Sequence, residues 1–257
     1  MKKILTMAAV ALLAASCSND KDVITPDLGT ANAPVAIKLT QSVEGLTTKA
    51  PITNGSQVEG IVVMVDVTSG HEHDWGSFNP VYKNEINETT KALETRANVA
   101  GAVFTAGTET DITLTPTLYY DNAQASPKSS HITAVVPSGT IESSKVVFGK
   151  VDGLQDVMTI GADQDAGTAA SPNQNGCKLT FAHKTTQLVF AASYTSVADN
   201  KGEWAGKDVS IKSIKVLGTQ LPQSVNLTNG DVNWATASDF SVPNITTTTL
   251  STTASTI

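Results

Sequence analysis

A few groups of side chains in this chain have the types and spacing to do chemistry. His71-Glu72-His73-Asp74 puts two imidazoles on alternate residues, so on an extended segment both would project to one side and could chelate one metal ion. A structural metal needs further ligands, and the other histidines, His131 and His183, are distant in sequence. A solvated polar loop is therefore expected there, with no metal and no cofactor. His183 lies two residues beyond Phe181 in a strand-like run, the usual setting of a hydrogen-bonded structural histidine. Cys177 has no base near it in sequence to draw off its proton, and reads as a small residue at a strand edge. Serines are plentiful, but Gly-x-Ser-x-Gly is missing, as is a glycine motif that would cradle phosphate. Carboxylates are scattered among turns and form no evident acid–base pair. No enzymatic activity is expected.

Two tryptophans are the better candidates for ligand binding. Sugar faces pack on aromatic rings, and Trp75 beside Asp74 and Trp204 in Lys201-Gly202-Glu203-Trp204 would serve as glycan platforms. They carry the alternative function, a glycan-binding lipoprotein of the outer-membrane surface. Trp234, just after the Asn229-Gly230 pair, is expected in the core.

The N-terminus determines where any of these groups would work. Lys2 and Lys3 precede an apolar run over residues 4–15, and Ala14-Ala15-Ser16 leads into Cys17. This is a secretory leader. Twelve helical residues at roughly 1.5 Å each cover about 18 Å, short of a hydrocarbon core about 30 Å thick. The cysteine after small residues resembles the lipobox of bacterial lipoproteins, with Ala14 where leucine is usual. That resemblance implies cleavage before Cys17 and acylation of Cys17. Several acyl chains anchor stably, because each buried methylene contributes about 0.8 kcal/mol. Ser18-Asn19-Asp20-Lys21-Asp22 is similar to the acidic tract that sends Bacteroidetes lipoproteins to the outer face of the outer membrane. Residues 1–16 are thus read as the signal peptide and 17–33 as a tether.

A net charge of −7 makes a nucleic-acid surface improbable. Aromatics at 5% and charged residues at 16% are low, whereas Thr, Ser, Val, Ala, Asn and Gly dominate, the profile of a turn-rich β protein. There are two cysteines, and lipidation would consume Cys17, leaving no intramolecular disulfide.

The strands that must hold the fold follow in order. Val35, Ile37 and Leu39 alternate with polar or small residues, as in a half-buried strand. Ile61-Val62-Val63-Met64-Val65 is apolar without alternation and predicts a strand buried on both faces. Short strands are expected near residues 102–104, 111–120, 132–136, 145–148, 179–181, 187–192 and 207–217. Residues 87–98 are the single helix candidate. Asn229-Gly230 predicts a hairpin between strands 224–227 and 232–234. Residues 163–176, poor in bulky apolar side chains, read as a boundary between domains at 34–175 and 176–257. The expected class is all-β, built as antiparallel β-sandwiches.

These features in their order resemble the fimbrillin family of Bacteroidetes, the subunits of surface fimbriae. The resemblance rests on Cys17, strand 35–40, the Thr47-Thr48-Lys49-Ala50 loop and Tyr119-Tyr120 ahead of strand 131–137. It also rests on Asp156-Val157-Met158, Leu179-Thr180-Phe181-Ala182-His183-Lys184 and Val225-Asn226-Leu227-Thr228-Asn229-Gly230. It implies two transthyretin-like β-sandwich domains, here with a short second one, expected to be incomplete, that ends in the Thr-rich tract 246–257. It also implies polymerisation by strand complementation and a role in adhesion as a stalk, anchor or tip subunit. Processing between Lys49 and Ala50 would remove the strand bearing Val35, Ile37 and Leu39. Lys49 stands where the family has arginine, so an Arg-specific protease would not cut there. The implied partners are other fimbrial subunits, outer-membrane lipid through Cys17, and a host or bacterial surface ligand.

Overall fold

The computed structural model describes residues 34–43, 55–68, 75–107, 109–122, 126, 128–150, 152–194, 208–251 and 254–256. Strand β2 (Gln57–Val67) shows how composition decides the architecture. Its central residues are β-branched on both sides, and Ile61, Val62, Val63 and Met64 are all buried. A strand apolar on both faces must lie between two layers. Val62 and Met64 face one core, shared with Phe104, Ile132, Leu179 and Phe181. Ile61 and Val63 face a second, shared with Trp75, Val146, Phe148 and Val225.

The strands run in chain order as follows. The first seven are β1 (Leu39–Val43), β2, β3 (Glu85–Ile86), β4 (Leu93–Thr95), β5 (Val99–Thr105), β6 (Thr110–Ile112) and β7 (Leu114–Thr115). The middle of the chain gives β8 (Ser129–Val136), β9 (Thr140–Glu142), β10 (Lys145–Val147), β11 (Met158–Thr159), β12 (Gln164–Asp165), β13 (Gly167–Thr168), β14 (Ser171–Pro172) and β15 (Lys178–His183). The last third gives β16 (Ala191–Ala192), β17 (Ser210–Ile211), β18 (Lys215–Thr219), β19 (Pro222–Asn226), β20 (Val232–Trp234), β21 (Ser238–Ser241), β22 (Thr248–Thr249) and β23 (Ser255–Thr256).

The main sheet has the order β6-β1-β15-β11-β8-β2-β5-β7, with β12 added beside β8. Its two ends, β6 and β7, are separated in the chain by Thr113 alone, so the sheet is nearly closed. The first core lies inside it. A smaller sheet, β20-β19-β10-β9, covers the outer face of β2 and β8 through Ile141, Val146 and Val225. Gly60 permits the close packing of β2 against its neighbours in the sheet, β5 and β8: a methyl there would sit 2.5 Å from the Phe104 ring and 2.6 Å from the Val135 carbonyl oxygen.

The fold is all-β, with no helix among the described residues. The helix expected over 87–98 is instead the β3–β4 hairpin. Asn87 Oδ1 accepts from the amides of Thr89 and Thr90, which starts a single turn, and Lys91 at φ 58° ends it. Ala92 and Leu93 alone offer too little apolar surface to hold a helix against a core. The hairpin at Asn229-Gly230 forms between β19 and β20, with Gly230 alone of the pair at positive φ.

The expected boundary at 175/176 does not divide the sheets. Strand β15 hydrogen-bonds to β1 and β11, and β19 to β10, so segments beyond residue 176 complete sheets begun before it. The described residues all belong to one compact unit, Asn32–Ile257. Within the small-residue stretch 163–176, β12 pairs with β8 and β13–β14 form a hairpin. A methyl on Gly176 would lie 1.7 Å from the Asp165 carbonyl oxygen, so a side chain is excluded there. Of the strand expected over 187–192 only Ala191 and Ala192 pair, and 207–217 is split between β17 and β18.

The Phe104 and Phe181 rings meet edge to face, 4.7 Å between centroids, and both are fully buried. Phe181→Ala is expected to destabilise the chain by about 3–5 kcal/mol, read from urea melts. The same truncation at the exposed Val103, across the sheet, should cost a small fraction of that.

Candidate functional site

Strand β1 is the element whose placement invites a function. It lies between β15, to which it is parallel, and β6, to which it is antiparallel. Among the described residues the β1–β15 pair is the one parallel pairing, and it joins segments far apart in sequence. Ser42 Oγ meets Thr180 Oγ1 at 3.3 Å across a separation of 138 residues. The preceding residues are also held: Ile37 N donates to Leu118 O (2.8 Å), and Tyr120 N donates to Val35 O (3.0 Å). Thr40 N donates to Cys177 O (3.0 Å).

Alternation places Ile37, Leu39 and Gln41 inward, at 4%, 1% and 1% exposure. Val35, expected with Ile37 and Leu39 as part of the buried set, is 42% exposed, and Gln41 takes the third inward place instead. Gln41 Nε2 donates to the Thr105 carbonyl and to Thr110 Oγ1, while its Oε1 is buried with no hydrogen-bond partner. The slot that β1 fills is therefore mostly apolar with one amide at its far end. Outside, Glu109 bridges the flanking strands by accepting from Thr40 Oγ1 and Lys178 Nζ. The Lys178 hydrogen bond holds the Glu109 carboxyl below its ordinary value. Cys17, Lys49 and Ala50 lie outside the described residues, as do His71 and His73.

The other chemical candidates resolve into structural roles. His183 Nδ1 donates to Asp156 Oδ2 (2.8 Å), and Asp156 Oδ1 accepts from Thr185 Oγ1 (2.9 Å). His183 Nε2 is buried, and no hydroxyl or thiol is hydrogen-bonded to it, so this His–Asp pair carries no nucleophile. His131 Nδ1 makes a like contact with Asp163 (2.8 Å). Among the described residues no group of three or more His, Cys, Asp or Glu side chains is arranged to hold a metal. Cys177 is buried within 3.5 Å of the Tyr120 hydroxyl, which also donates to Ala166 O.

The tryptophans exchange the roles read from sequence. Trp75 is 1% exposed and packs on Phe78, 5.7 Å between centroids, inside the second core, so it offers no ring face to a sugar. Trp204 lies outside the described residues. Trp234, expected in the core, is 42% exposed on the short strand β20 and lines a cleft of about 860 Å³ in the last third of the chain. The signal available in sequence was strand length: three residues beside a turn bury little.

Compared with protein-family models, with curated proteins and with solved structures, the chain matches none.

Burial pushes the Cys177 thiol and the Tyr120 hydroxyl up from their ordinary values. The folded chain thus keeps protons that the unfolded chain releases. Stability from this pair is fully present below the unfolded thiol value, roughly 8.5, and is lost as pH rises beyond it. Urea midpoints should hold between pH 7 and 8 and fall by pH 10, and the Cys177→Ala/Tyr120→Phe double variant should show a smaller fall.

Proposed function

We propose that this chain is a fimbrillin-like surface lipoprotein, a structural subunit of a fimbria assembled by strand complementation. In this reading β1 is the exchangeable strand and Cys17 the point of lipid attachment. The finer architecture, a transthyretin-like packing of the two sheets, belongs to the same proposal, as does residence at the outer-membrane surface and in the fimbria after processing.

The observation that supports it is the seating of β1 between β15 and β6. A strand at the end of a sheet can leave without exposing much. A strand inserted between two neighbours leaves two unpaired edges and an apolar slot, here the places of Ile37 and Leu39. Each such side chain contributes roughly 1.5–3 kcal/mol when buried. Open edges of that kind template an incoming strand, whose backbone bonds give affinity and whose alternate side chains fill the slot. Lys49 follows β1 by six residues in sequence, so a cut after it would free the strand together with the acylated N-terminus. The slot is uncharged apart from its rim, which favours a strand alternating apolar residues like β1 itself.

The test is limited digestion of the mature chain, residues 17–257, with a lysine-specific protease, followed by intact mass and size-exclusion chromatography. A cut after Lys49 should release a fragment carrying β1 and give oligomers. Excess synthetic peptide of residues 34–43 should suppress those oligomers, and Lys49→Ala should delay them. A cut after Lys49 that leaves a stable monomer, with or without the peptide, would overturn strand exchange.

A further inference from the structure

The cleft beside Trp234 lies among residues that the β1 slot does not use. At about 860 Å³ it falls in the upper part of the roughly 300–1,000 Å³ range of small-ligand sites. Its described walls come from residues 153–155, 184–190, 216, 219–222, 240, 242–246, 248 and 256, with Trp234 on one side. The Phe240 ring lies against Gly153, where a methyl would come within 2.4 Å of it. Gly153 also takes φ 72°, a conformation that side chains disfavour, so the ring is seated on a backbone suited to receive it.

Chemistry narrows the occupant. Among the described lining residues Lys184 carries the one charge, and none is a carboxylate. An anion would meet a single cation, and a cation would meet none of the groups that bind one. The uncharged polar groups are amides and hydroxyls, among them Gln155, Gln187, Gln220 and Asn244. An amide both donates and accepts, which matches a ligand whose hydroxyls do the same. These groups interleave with the apolar ones: Gln187 precedes Leu188, and Asn244 stands between Pro243 and Ile245. A lipid chain would leave them unpaired at a cost. A peptide adding as a strand needs a regular edge, whereas β16, β17, β22 and β23 are two residues each and the longer β18–β21 pair shifts register between Val216 and Thr219. Hydroxyl-rich rings with apolar faces satisfy both walls, the face against the exposed Trp234 ring and the hydroxyls toward the amides.

We propose that this cleft is a binding site for a neutral oligosaccharide, with Trp234 as its stacking platform. The site is independent of strand exchange and stands whether or not that occurs.

The experiment is calorimetric titration of the mature chain with neutral tetrasaccharides of glucose, mannose, galactose, xylose and N-acetylglucosamine. Tetragalacturonate serves as the anionic counterpart, and an uncharged extended heptapeptide as the strand counterpart. At least one neutral sugar is expected to bind, weakened about tenfold or more by Trp234→Ala and within about threefold of wild type in Trp234→Phe. Leu188→Trp, which fills the cleft from a half-exposed position and leaves both cores untouched, should abolish binding even if Trp234→Ala perturbs folding. Absence of binding to every neutral sugar, binding that survives Leu188→Trp, or preference for tetragalacturonate or the heptapeptide would each overturn the proposal.

Discussion

The burial of β2 on both faces is the constraint from which the rest of the structure follows. Val62 and Met64 require an inner core, Ile61 and Val63 an outer one, and neighbouring β8 shares the demand through Ile132 and Ala134 on one side and Val135 on the other. A single sheet cannot satisfy this. The chain meets it by curling the main sheet around the inner set and laying the β9, β10, β19 and β20 sheet over the outer set. Gly60 sits between β5 and β8 within the main sheet, and its lack of a side chain leaves room for the Phe104 ring and the Val135 carbonyl. Strands β1, β5, β9, β10, β11, β15 and β19 each cover one side of this central pair.

Strand β1 enters that arrangement late in a topological sense. Its partner β15 lies more than a hundred residues on, so the pairing costs loop-closure entropy that local hairpins such as β9–β10 do not pay. Among the described side chains, Leu39 and the amide of Gln41 repay it, with Ile37 just ahead of the strand. A strand held by such long-range contacts can be supplied from elsewhere, which is why its seat supports the proposed exchange.

What could be read from the residues was what depends on near neighbours. The unbroken apolar run at 61–65, the alternation of Ile37 and Leu39, the hairpin at Asn229-Gly230 and the all-β class all rest on local pattern. What could not be read depends on who meets whom. Trp75 stands in a polar loop and reads as exposed, yet its burial comes from Val99, Val146 and Leu227, which pattern alone does not bring near it. Trp234 reads as core because a strand and hairpin surround it, yet the strand is short and its ring faces a cleft. The stretch 163–176 reads as a domain boundary because it lacks bulk, although small residues there serve close backbone approach at Gly176. Val35 continues an alternation that the fold stops using, and Gln41, which looks polar, completes it.

The meeting of β6 and β7 across Thr113 has a mechanical meaning. One short stretch of backbone is bonded to β1 on one side of the seam and to β5 on the other. If β1 is lifted out, that stretch stays fastened to the rest of the wall, as the opposite bank stays fastened through β11 and β8. The opening then behaves like a missing stave in a barrel whose hoops remain tight. Under the proposed exchange its width would be set by covalent and hydrogen-bonded neighbours rather than by the stave itself, matched to one extended chain.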